Sequence, residues 1–165
     1  MNDLTPKKHV QPRADAFALN SSDEARLRFD LPSGGTLKVR VYFNLHRHVF
    51  SVKALEGAHK GKVIAHTPLL VINDVTPHVS EAGRQRVLTE RSKNVHAYLQ
   101  GTIDLAHLHD LNLIEADDVP HKKISYDPYK GPSFIYVAEG CPEFKSADRL
   151  LLTAHDRGIW EPVSD

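Results

Sequence analysis

Thr36-Leu-Lys-Val-Arg-Val-Tyr-Phe-Asn44 is the stretch on which the fold turns. Leu37, Val39, Val41 and Phe43 alternate with Thr36, Lys38, Arg40, Tyr42 and Asn44. That two-residue period belongs to a strand with one face buried and the other in water. Working outward, Arg47-His-Val-Phe-Ser-Val-Lys-Ala54 is a second β-branched and aromatic run, so the two form a hairpin turning near residues 45–47. Before it, Pro32-Ser-Gly-Gly35 is a strong turn signal closing a first edge strand over 25–31. Residues 1–24 hold scattered polar side chains, Pro6 and Pro12 without a sustained period, and read as a flexible amino-terminal arm.

Toward the carboxyl terminus, 62–66 and 69–75 are strand-like runs separated by Pro68, which cannot donate to a ladder and so marks a bulge or bend. Ser80 is placed to cap a short helix over 81–90, with Glu81 suited to its first turn. Strand character resumes over 95–103, with Val95, Ala97 and Leu99 on one face and His96, Tyr98 and Gln100 on the other. Residues 104–118 carry Asp104, Asp110, Glu115, Asp117 and Asp118 and no Lys or Arg, a surface excursion with room for one helical turn. A strand beginning near Lys123 ends in a Pro-Gly turn, and 133–137 and 149–153 supply closing strands. The expected fold class is α+β: a β-rich antiparallel or mixed sheet with one short helix, forming a single domain over 25–165.

Length and composition fit that expectation. A chain of 165 residues buries roughly 70% of its unfolded surface and needs neither metal nor disulfide to hold a core. Cys141 is the only cysteine, which excludes an intrachain disulfide. No apolar run reaches the roughly 18 residues of a membrane span, and the first residues lack a signal peptide's apolar centre, so a cytoplasmic protein with no membrane partner is expected. Basic and acidic residues balance at 21 each, which argues against coating nucleic acid by bulk attraction. Any anion site must be local. The 11 histidines add positive charge as pH falls through 7 to about 6.

The densest run of functional side chains is 80–101, where Arg84, Arg86, Arg91, Lys93, Asn94 and His96 follow one another. Arg84 and Arg86 carry planar forks that match phosphate or carboxylate, and Lys93 is a compact point charge. A helix starting at Ser80 would add backbone N–H groups that favour an anion. His96 is the candidate general acid or base, with Lys93 as cationic stabiliser. Tyr126 or Tyr129 would act as second proton donor or as a stacking platform. Asn44 and His46 are further candidates for the same face. These parts suit a phosphate-bearing ligand, RNA or nucleotide, and in an enzymatic variant metal-independent RNA cleavage. The plain alternative is a solvated helix face whose arginines pair with Glu81 and Glu90.

His46 and His48 share a two-residue spacing that His107 and His109 repeat. A metal site would need His66, His78 or His96 to complete it, and the recognisable second pair of a zinc site is absent, so neither metal nor cofactor is assigned. Tyr126-Asp-Pro-Tyr-Lys-Gly-Pro132 is a rigid aromatic and cationic corner that also makes sense as a turn. Acidic neighbours speak against a reactive thiol at Cys141. P-loop, Rossmann and Gly-x-Ser-x-Gly patterns are missing.

Val41-Tyr-Phe-Asn-Leu-His46, Val49-Phe-Ser-Val52, Gly83-Arg-Gln-Arg-Val87, Lys93-Asn-Val-His-Ala97 and Tyr126-Asp-Pro-Tyr129, in this order, resemble small uncharacterised proteins encoded in phage and prophage genomes. The resemblance covers about residues 37–153 and carries no residue role with it. It implies a setting, the host cytoplasm during infection, where accessory proteins handle nucleic acid or nucleotides or block a host factor. Two functions are therefore expected to compete. One is a phosphate-ligand site at Arg84, Arg86, Lys93, Asn94 and His96. The other is a protein–protein inhibitor of a host enzyme or defence system that takes no small ligand, a reading that the balanced charge and the acidic 104–118 segment favour.

Overall fold

A computed structural model describes residues 24–115 and 121–163. The arm expected over 1–24 lies, Glu24 apart, outside the described residues, as do Asp117 and Asp118. Ten strands follow in chain order: β1 (Arg26–Leu27), β2 (Thr36–Asn44), β3 (Val49–Ala54), β4 (Val63–Thr67), β5 (Leu69–Val79), β6 (Ala97–Asp104), β7 (His121–Ser125), β8 (Ile135–Tyr136), β9 (Ala147–Thr153) and β10 (Gly158–Pro162). Helix α1 (Glu81–Glu90) joins β5 to β6, and after β6 come α2 (Leu105–His109) and a 3-10 turn, Leu111–Leu113. One sheet holds every strand in the order β1-β4-β3-β2-β6-β5-β9-β10-β7-β8, and all neighbours are antiparallel. The protein is thus mostly β; α+β overstates its helical share, and the mixed-sheet alternative falls away.

The alternation read in 36–44 is the one observed: Val39 and Val41 are buried while Lys38 is exposed. Residues 45–48 form the hairpin turn, with His48 left-handed at φ 59°, so β3 begins at Val49 rather than Arg47. Strand β5 runs past the expected end at residue 75 to Val79. Its irregularity lies between Asn73 and Thr76, where the register against β6 shifts. Asp74 there takes φ 52°, so two residues oppose Gly101, and a Cβ on Gly101 would lie 2.5 Å from the Asn73 carbonyl oxygen. Only glycine admits that approach.

Both faces of the β5–β9 pair are covered, which explains the unbroken apolar run Leu69-Leu-Val-Ile72. Leu70 and Ile72 pair with Leu152 and Leu150 inside the main core. Leu69, Val71 and Leu151 pack with Leu111 in a second cluster that Trp160 and Ile114 border.

The sheet is rolled. Strands β6 and β7 have β5, β9 and β10 between them, a separation of about 19 Å if the sheet were flat. Nevertheless His96, just before β6, touches Tyr126, just after β7. Four antiparallel steps make β6 and β7 run the same way, so these two residues belong to opposite poles of the sheet. Arg157, in the β9–β10 turn, repeats the pattern: its guanidinium carbon lies 4.7 Å from the centre of the Phe43 ring at the end of β2. The lower ends of β2 and β6 therefore close onto the upper ends of β9, β10 and β7. Coiling of this kind lets one sheet cover its own apolar face with few helices.

Candidate functional site

The site forms where the roll closes. Ser80 accepts a hydrogen bond on its Oγ from the Gly83 N–H at 3.2 Å, the expected cap of α1. Its own N–H donates to the His96 carbonyl at 2.7 Å, which ties the helix start to the entry of β6. Gly83 and Val87 make the buried stripe of the helix. A Cβ at Gly83 would stand 2.8 Å from the His96 Cβ, so glycine is what allows α1 to press on the histidine.

Two hydrogen bonds fix which tautomer a neutral His96 ring takes. Its Nδ1 faces the Asn94 carbonyl at 3.0 Å, and a carbonyl only accepts, so Nδ1 carries the proton. Nε2 then accepts from the Tyr126 hydroxyl at 2.6 Å. Burial pushes the Tyr126 phenol up to about 12, partly opposed by the charge of Arg84, so the hydroxyl remains a donor at neutral pH. The Tyr126 ring stacks on Phe134 with centroids 5.0 Å apart.

Arg84 links helix to turn. Its Nε donates to the Pro128 carbonyl at 2.8 Å, and its Nη1 pairs with Glu81 Oε1 at 2.7 Å. The arginine side chain is 14% exposed and the glutamate 55%. Hydrogen bonds from Gln85 and Arg84, and the charge of Arg84, hold the Glu81 carboxyl below its usual range. The Arg84–Glu81 pair is the one that the plain alternative expected, a helix face whose arginines pair with Glu81 and Glu90, and its three-residue spacing is the signal for it.

Of the candidates read from sequence, Arg84, His96 and Tyr126 come together, and Asn94 joins through its carbonyl. Arg86 sits two residues on from Arg84, about 200° around the helix, and is exposed. Lys93 is exposed in the extended segment between α1 and β6. Neither contacts His96, Arg84 or Tyr126 among the described residues. Asn44 organises the hairpin turn, its Oδ1 accepting from the N–H groups of His46 and Arg47 at 3.0 Å each. Its amide donates to Ser51 Oγ at 3.1 Å, and Ser51 reaches His66 Nδ1 at 2.9 Å. Ser51 is fully buried, so this second polar chain is internal. His46 and His48 lie in that turn and His107 and His109 on α2, where His109 Nε2 donates to the carbonyls of Leu31 and Pro32 at 3.0 and 2.9 Å. Among the described residues no three His, Cys, Asp or Glu side chains group as metal ligands, and no helix is long and apolar enough to cross a membrane.

Fold and site define a mostly β protein whose rolled sheet is latched by a Glu-Arg-His-Tyr cluster. Its relatives are phage proteins. Residues 33–159 match the family described as Mycobacterium phage L5 gene 82 protein, and the chain is 36% identical over 129 residues to the Gene 82 protein of Mycobacterium phage L5, covering 74% of this chain and 94% of that one. The chain belongs to this phage family. No solved structure matches it.

Proposed function

We propose that the protein is a phage accessory protein of the host cytoplasm that binds a phosphate-bearing ligand, nucleotide or RNA, at the Arg84–His96–Tyr126 cluster. The observation that carries the reading is the convergence of these three groups beside the first turn of α1, whose N–H groups favour an anion. In the free protein Arg84 is neutralised by Glu81, a pair three residues apart whose carboxylate side is the more exposed. A phosphate would replace Glu81 on the guanidinium, and the carboxylate would swing into water.

Calorimetric titration with ATP and with a short RNA tests this. Arg84→Gln is expected to weaken binding by about 1–3 kcal/mol, while Glu81→Gln, which frees the guanidinium, is expected to tighten it. Unchanged affinity in Arg84→Gln removes the proposal. In the enzymatic variant, RNA cleavage would survive EDTA and vanish in His96→Ala. Binding stands ahead of cleavage because Lys93, the intended stabiliser, makes no contact with His96.

The inhibitor reading has one observation in its favour. Val95 and Tyr129, 58% and 59% exposed, flank the same cluster through their neighbours His96 and Pro128, and exposed apolar side chains of this kind suit a protein partner. A stable complex recovered from nuclease-treated host lysate, and lost in Tyr129→Ser, would favour it.

A further inference from the structure

We propose that the outward face of β3, β2, β6 and β5 is a docking surface for single-stranded RNA. Register and burial define this face. Val39, Val41 and Leu99 point into the core, so Arg40, Tyr98 and Gln100, which alternate with them, lie on the opposite face, each half-buried. On β3 that face includes half-buried Lys53 and ends at Ser51, which is fully buried. Lys53 pairs with Arg40, Arg40 with Gln100, and Gln100 with Thr76, one row across four strands. No carboxylate stands in it. Because the whole chain is neutral, a row with two cations and no acid is a local concentration of positive charge, complementary to a phosphate backbone.

Beside the row lies a stack of flat groups. The Arg40 guanidinium is 4.6 Å from the centre of the Tyr98 ring, and Tyr98 stacks on His78 with centroids 5.1 Å apart at 17°. Thr76 Oγ1 holds His78 Nε2 at 3.2 Å, which orients the imidazole, and His78 is exposed. The Arg40 Nε is shielded from solvent and has no acceptor among the described residues. Bases extend such stacks on imidazole or guanidinium planes. Gln100 and Thr76, which both donate and accept, match a 2′-hydroxyl and so point to RNA rather than DNA. Four strands span about 14 Å, the length of about four stacked bases. None of these residues belongs to the Arg84–His96–Tyr126 cluster, so the surface goes beyond that reading and does not depend on it.

Fluorescence anisotropy of the full chain with a short labelled RNA strand of mixed sequence is the test. Arg40→Gln and Tyr98→Leu are each expected to weaken binding about tenfold or more. Tyr98→Phe, which keeps the ring, and Lys122→Gln, which removes an exposed charge on β7, are expected to retain it. Thermal melting identifies any variant that fails to fold, and Tyr98→Phe against Tyr98→Leu at equal melting temperature isolates the ring. Several results overturn the proposal: no binding by the wild type, equal binding of a duplex or of the same sequence as DNA, or equal loss in Lys122→Gln. Dimerisation of the chain through this face, seen by sedimentation and abolished by Arg40→Gln, overturns it too. RNA binding lost in Arg84→Gln and intact in Arg40→Gln overturns the docking face while leaving the phosphate site standing.

Discussion

His96 Nε2 and the Tyr126 hydroxyl lie 2.6 Å apart although three strands separate β6 from β7 in the sheet. The hydrogen bond is thus a tertiary latch between the two ends of the roll. Tyr126→Phe keeps the ring on Phe134 and removes only the hydroxyl. Loss of a bond of this kind costs about 1 kcal/mol, with a further penalty for leaving Nε2 shielded and unpaired. Urea denaturation is expected to show that loss with an unchanged slope.

Gly83 offers a sharper test, because propensity and packing oppose each other. Alanine in a helix interior is better than glycine by about 1 kcal/mol. Here its Cβ would meet the His96 Cβ at 2.8 Å, a contact that only a shift of α1 or β6 relieves, at about 1–3 kcal/mol. Gly83→Ala is expected to lower the melting temperature, and a stabilised variant would show that α1 does not press on His96.

At the other end of α1, Arg91 is left-handed at φ 54° while its N–H closes the helix on the Val87 carbonyl at 2.9 Å. A non-glycine residue there costs about 1 kcal/mol. Arg91→Gly is expected to raise stability by up to that amount in chemical denaturation.

His66 sets a pH dependence. Burial first, then the charges of Arg47, Arg28 and Arg26, lowers its pKa from the ordinary 6.5. Just below pH 6.5 the unfolded chain takes up this proton more readily than the folded one. The stability due to neutral His66 is therefore full above that value and is lost as pH falls through it toward the folded pKa. The urea midpoint is expected to fall between about pH 7.5 and about pH 5.5, and to fall less in His66→Gln. An equal fall in both proteins would assign the effect to other histidines.

Local structure was largely readable from local residues. The alternation of 36–44 and the Ser80 cap of α1 depend on neighbours in the chain and stand where the pattern put them, and the turn expected near 45–47 runs one residue further, through His48. Strand β10 was not readable: Gly158-Ile-Trp-Glu-Pro162 has no alternation, and it is a strand because β9 and β7 pair with it on either side. The site divided along the same line. The strand expected from residue 95 begins only at Ala97, so His96 stands just before β6, and Val95, expected to face inward with Ala97 and Leu99, is exposed. Arg84 and Arg86 looked equivalent until the helix turned them apart. That Tyr126 would be the residue to reach His96 follows from the roll, and no local period encodes the order of strands in a sheet.

That order has a consequence for how the chain is made. Leu69 of β5 pairs with Thr153 of β9, and Thr36 of β2 with Asp104 of β6, so the central ladders join segments far apart along the polypeptide. Such pairings are slow because a long loop must close before they form. A nascent chain leaving the ribosome cannot complete the β5–β9 ladder until β9 has emerged. Assembly of the sheet therefore waits for β9, and until then the β5 edge stands unpaired on that side, the kind of exposed strand edge that invites aggregation.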